Sequence, residues 1–161
     1  MLREILNALK GKDTLGEMFG QIGRMLDAAQ WMFAQASEVL MRKADWEGIS
    51  DSLYKRDREI NHIEQSVREQ ILSHLSAGNK ADLAACLIIM SVVKDAERIG
   101  DYCKNLFEVG KFYQREYSHP QYARPLEEIR STVEPLFEKT KKAFLDADRG
   151  ALHLLGTATT H

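Results

Sequence analysis

Helix breakers are scarce: three Pro and ten Gly serve a chain of 161 residues. That leaves long stretches free to be helical. No stretch alternates apolar and polar residues at the period of two expected of a half-buried strand. Cysteine is almost absent too. Cys86 and Cys103 fall on one predicted helix, roughly 25 Å apart at helical rise. They are too far apart to pair within the chain, and a reduced, cytoplasmic setting is expected. The sequence has no block of Lys and Arg, and its net charge is −2, so nucleic acid is not an expected partner. The apolar run Leu83 to Val93 falls short of the about 20 residues that cross a membrane, so no transmembrane segment is expected. Met1-Leu2-Arg3-Glu4 lacks the basic-then-apolar layout of a signal peptide. There is no Gly-rich phosphate loop and no nucleophile–base spacing. Nothing in the chain argues for an enzyme.

What is present is ordinary for a globular protein: 44% apolar and 29% charged residues, enough chain for one sizeable core. Residues 1–11 read as a short amphipathic segment, with Leu2, Ile5, Leu6 and Leu9 on one stripe. Thr14-Leu15-Gly16-Glu17 has the form of a capping box and opens helix 1. There Leu15, Met18, Ile22, Met25, Ala29, Met32, Ala36 and Val39 alternate steps of three and four, and Phe19, Leu26, Phe33 and Leu40 add a parallel line. A period near 3.5 held this long marks a helix in a left-handed bundle. Asp45 is placed to cap helix 2, whose inward residues are Leu53, Ile60, Ile63, Val67 and Ile71. Gly78-Asn79 ends that helix, and Asn79 with Asp82 starts helix 3, which reads on to about Tyr117. The beginning of helix 3 is apolar on every side, as expected of burial among helices or in a subunit interface. Pro125 suits the first turn of helix 4, and Pro135 should kink it. The predicted fold class is all-α, an up-down antiparallel bundle of helices 1–3 with helix 4 alongside.

The chemistry concentrates in Lys94 to Glu108. Glu97 and Asp101 are one turn apart, so their carboxylates share a helix face. Counted from Gly78, Asp57 and Asn61 stand about as far before the loop as Glu97 and Asp101 stand after it. Antiparallel packing is therefore expected to bring the four to one height as an oxygen-rich surface site. The run Glu97-Arg98-Ile99-Gly100-Asp101, with Lys94 and Asp95 before it and Asn105 and Glu108 after it, resembles the signature of the PhoU family, helical regulators of phosphate uptake.

The resemblance carries further expectations. PhoU proteins are usually two tandem three-helix repeats, and this chain resembles one repeat plus the first helix of a second. The expected division is 1–11 N-terminal segment, 12–117 three-helix repeat, 118–156 additional helix and 157–161 tail. Family members bind iron, zinc or related metals, Mn among the candidates, through paired acidic motifs. Glu97 and Asp101 match the second motif. Asp57-Arg58-Glu59-Ile60-Asn61 matches the first, except that Asn61 is a neutral amide and a weaker ligand than a carboxylate. The metal set implied is Asp57, Asn61, Glu97 and Asp101. The alternative is a salt-bridged face, with Lys94, Arg98 and Lys104 as local partners. Function by resemblance is non-enzymatic regulation of phosphate transport or phosphate-starvation signalling. The partners implied are a phosphate transporter and a sensor kinase, and the apolar start of helix 3 predicts a homodimer.

Two other readings compete with this one. A metal-free helical protein-interaction domain would need no site at all. A carboxylate-bridged metalloenzyme would use Glu59-Ile60-Asn61-His62, but such enzymes need Glu-x-x-His twice, facing inward. Here Glu59 and His62 fall roughly opposite Ile60, Val67 and Ile71, so this motif does not face inward.

Overall fold

The computed structural model describes residues 13–113 and 120–146, so the N-terminal segment 1–11 and the tail 157–161 lie outside the described residues. It consists of four helices, α1 (Asp13–Leu40), α2 (Glu47–Ser76), α3 (Leu83–Phe112) and α4 (Pro120–Asp146), with a 3₁₀ turn at Lys80–Asp82. Among the described residues there is no strand. The described residues form an all-α helical bundle, as the sequence predicts.

α1 is the central element: α2, α3 and α4 all pack on it, and α4 docks chiefly there. The reason lies in its apolar spacing. All eight residues of the predicted stripe, Leu15 through Val39, are fully buried, and Phe19 and Leu26 lie beside them. α2 contributes Leu53, Ile60, Ile63, Val67 and Ile71, again the predicted set, and α3 contributes Ile89, Val93 and Phe107. Non-directional burial of this apolar surface drives the assembly. The tilted ring pairs Phe33–Phe137 and Phe19–Phe144, at 5.5 and 4.9 Å, seat α4 against α1.

The ends of the helices follow local chemistry. α1 closes with Arg42 in the left-handed region (φ 60°), while Lys43 N–H reaches back to the Glu38 carbonyl at 2.9 Å. Arg42 then donates to the Gly110 carbonyl at 2.8 Å, tying this end of α1 to α3. Asp45 acts from one residue further out than a standard cap, its Oδ1 accepting from Glu47 N–H at 3.2 Å. The turn between α2 and α3 uses Gly78 at φ 94°, where a side chain would be strained. Asn79 Nδ2 donates to the His74 carbonyl (3.0 Å), and His74 bonds Asp82 across the turn at 2.8 Å.

Two expectations need correction. α3 ends at Phe112 rather than near Tyr117. α4 starts at Pro120, so Pro125 lies inside it and not in its first turn. The helix runs on through Pro135. At the start of α3, Ala85, Cys86 and Ile89 are buried, whereas Leu83 and Leu87 are 50% and 60% exposed.

Candidate functional site

α2 and α3 run antiparallel, and Gly100, Lys104 and Glu108 of the signature meet α2. The two helices meet closely at Gly100, where the missing side chain leaves room for Ile60 of α2. That contact fixes the register. Gly100 stands level with Ile60, Lys104 with Asp57, and Glu108 with Tyr54. Symmetry about Gly78 had put Asp57 and Asn61 level with Glu97 and Asp101, and the register differs from this by about one turn. The cause is the connection itself. It extends from Ala77 through the 3₁₀ turn at Lys80–Asp82, so the midpoint of the hairpin lies beyond Gly78. Doubled across two helices, a shift of two or three residues becomes a full turn.

The consequence is a lysine in the centre of the site. Lys104 Nζ donates to Asp57 Oδ1 at 2.9 Å and to Asp101 Oδ1 at 2.8 Å. It bridges the two helices. Asp57 is well sheltered, with its side chain 13% exposed, whereas Asp101 is 43% exposed. Burial opposes the charge on Lys104, but hydrogen bonds to Asp101 and Asp57 outweigh it and hold the amine above its usual pKa. Asn61 turns to its own helix, its Nδ2 donating to the Asp57 carbonyl at 3.0 Å. Glu97 lies about a turn nearer the hairpin. Its carboxylate is only 12% exposed, less than its place on the flank of α3 implied, and it accepts from Lys94 at 2.8 Å.

The signature continues to Glu108, which accepts a hydrogen bond from the Tyr54 hydroxyl. That bond, together with burial, pushes the Tyr54 phenol up to about 12. Arg98 pairs outward with Asp95 at 3.1 Å, and Asn105 is exposed. Sequence reasoning named Lys104 only as a local partner for its own helix and did not find Tyr54. With the hairpin midpoint placed at the 3₁₀ turn, both cross-helix pairs follow from residue counting.

The four residues proposed as a metal set therefore do not share one vacant centre. Asp57 and Asp101 converge, but on the Lys104 ammonium. Glu97 is drawn to Lys94, and the Asn61 amide is bonded to backbone. Among the described residues no group of three or more His, Cys, Asp or Glu side chains is arranged to hold one metal ion. A dication between Asp57 and Asp101 has to displace Lys104. In this arrangement the residues do not fit a metal. Glu59 and His62 are both exposed, so this Glu-x-x-His does not face the bundle interior.

A family model described as the PhoU domain matches residues 22–109, which hold most of α1, all of α2 and the whole signature on α3. A curated relative is the phosphate-specific transport system accessory protein PhoU homolog of Rhizobium meliloti (strain 1021). It is 29% identical over 84 residues, which make up 52% of this chain and 35% of the relative. The chain thus matches about a third of that relative's length. No solved structure matches. With more than half of its length in the match, and with the signature bridging α2 and α3, the chain belongs to the PhoU-domain family.

Proposed function

We propose that this chain is a non-enzymatic regulator of phosphate transport or phosphate-starvation signalling, working in the cytoplasm by contact with other proteins. The observation that carries the reading is the domain match across residues 22–109, together with a relative described as a phosphate-transport accessory protein. No helix among the described residues is long and apolar enough to cross a membrane. The outward side of α3 supports action by contact. Tyr102, Val109 and Phe112 are 68%, 50% and 75% exposed, spaced along one ridge, with Asn105 exposed between them and Arg98 one turn before Tyr102. Aromatic side chains of this size, held on a rigid helix, are the residues that carry most binding energy in protein interfaces. A phosphate transporter and a sensor kinase are the partners we propose, and self-association through exposed Leu83 and Leu87 is the proposed source of a homodimer.

The test is genetic and direct. In the native host with the gene deleted, phosphate uptake and a phosphate-starvation reporter are measured with and without the restored wild-type chain. Wild type should restore the normal response, and the double substitution Tyr102→Ser/Phe112→Ser should not, at equal protein abundance. Uptake and reporter indifferent to the wild-type chain would end this reading.

A further inference from the structure

We infer that Lys104 is a tethered cation that occupies the place between Asp57 and Asp101, so the acidic face of this chain holds its charge balance without a divalent metal. This holds whatever protein the chain contacts, and it reverses the metal reading suggested by the signature alone.

Geometry carries the inference. The ammonium lies within hydrogen-bond distance of one carboxylate from each helix, 2.9 Å from Asp57 and 2.8 Å from Asp101. Its own side chain is 27% exposed and Asp57 only 13%, so the bridge is partly shielded from screening by solvent. A free dication entering here has two costs that Lys104 does not have. It loses translational freedom and much of its hydration on binding, whereas the ammonium was brought to the site by folding. It must also leave the Lys104 charge beside the bound ion, where like charges repel. Few ligands are available to offset these costs. Asn61 is neutral and bonded to the Asp57 carbonyl, and Glu97 is engaged by Lys94. Hard and borderline cations need several oxygen donors with enough negative charge. Two carboxylates already sharing an ammonium do not meet that need.

The register explains why this lysine does so. One turn of slip would place Asp57 against a different part of α3. The Gly100–Ile60 contact prevents that slip and sets Lys104 opposite Asp57. The same glycine that draws the helices together thus selects a side chain, rather than an ion, as the cross-helix bridge.

Thermal melting with Mn²⁺, Zn²⁺, Fe²⁺ or Mg²⁺ at millimolar concentration, against a chelator control, tests the inference on the whole chain. Wild type and Lys104→Arg should show no metal-dependent shift. Lys104→Met should melt lower than wild type without metal and regain a few degrees with at least one of the four, because binding to the native state stabilises it by mass action. Asn61→Asp with Lys104 retained should show no metal gain, a result readable even if Lys104→Met does not fold. A metal shift in wild type or in Asn61→Asp would overturn the inference, since it would mean that Lys104 yields to the ion. A folded Lys104→Met without any metal shift would overturn it as well, because no cation place would then exist for the lysine to fill.

Discussion

Gly100 passes Ile60 so closely that a Cβ on the glycine would stand 2.8 Å from Ile60 Cδ1 and 3.3 Å from Ile60 Cγ2. The glycine of the signature is therefore a spacing device for α2 and α3, and the ion bridge above it depends on that spacing. Gly100→Ala should gain roughly 1 kcal/mol in helix propensity. It should lose about 1–3 kcal/mol through overpacking, for a modest net destabilisation. Removing the clashing methyl with Ile60→Val should recover most of that loss, giving a double mutant more stable than the sum of the single changes predicts. Urea unfolding of the four proteins measures the coupling, and simple additivity would show that the two residues do not meet.

Gly110 is a harder case. A Cβ there would lie 2.9 Å from the backbone nitrogen of Leu40 and 3.1 Å from its Cα. Backbone atoms do not rotate aside as a side chain can. The contact also sits where Arg42 bonds the Gly110 carbonyl, so any displacement disturbs the junction of α1 and α3. Gly110→Ala should cost about 2 kcal/mol or more, at the upper end of the range for overpacking and above Gly100→Ala. A smaller loss at Gly110 than at Gly100, read from the same urea curves, would contradict this ranking.

The contrast between these glycines shows what a sequence carries and what it does not. The heptad line from Leu15 to Val39 was legible because each helix turn repeats the same physical demand for burial. The inward residues of α2 were legible for the same reason. Register was not. It depended on whether the α2–α3 connection ends at Gly78 or continues through the turn at Lys80–Asp82, a matter of two or three residues with no periodic signal. That small uncertainty moved Lys104 from the edge of the site to its centre. The end of α3 and the start of α4 were equally hard to place. Pro125 is tolerated within a helix that begins five residues earlier at Pro120.

Cys103 tests the solidity of the core at its middle. It is 4% exposed, and its Sγ–H donates to the Ala29 carbonyl at 3.5 Å. Burial pushes the thiol up to about 12, which leaves almost no thiolate at neutral pH. Since thiolate is the reactive form, native protein should resist alkylation at Cys103. It should react at the ordinary rate once unfolded in denaturant. Mass spectrometry of native protein treated with iodoacetamide reads this out site by site, and rapid native labelling of Cys103 would mean that the α1–α3 contact opens readily.

Tyr54 gives the fold a defined response to alkaline pH. Its hydroxyl donates to Glu108, and the hydrogen bond, then burial, raise the phenol to about 12 from the usual 10.0. Lys104, Asp57 and Lys111 are the other charged groups that face it, the last with Nζ 5.7 Å from the ring centroid. Because the folded protein holds this proton more tightly than the unfolded chain, the contribution is complete below about pH 10. It declines as pH rises toward 12, where the folded form also ionises. Lys104 acts in the same direction, since its raised pKa means that its contribution also persists until the free amine would titrate and is lost above that. Wild-type stability should therefore fall through the interval above pH 10. Tyr54→Phe should be less stable than wild type at neutral pH, having lost the bond to Glu108, yet should decline less steeply over that interval. Tyrosinate absorbance should in parallel lose a component titrating at about 12 in the variant. Equal slopes for the two proteins, or an unchanged tyrosinate curve, would show that Tyr54 does not hold its proton for Glu108, and the upper end of the α2–α3 bridge would have to be drawn without it.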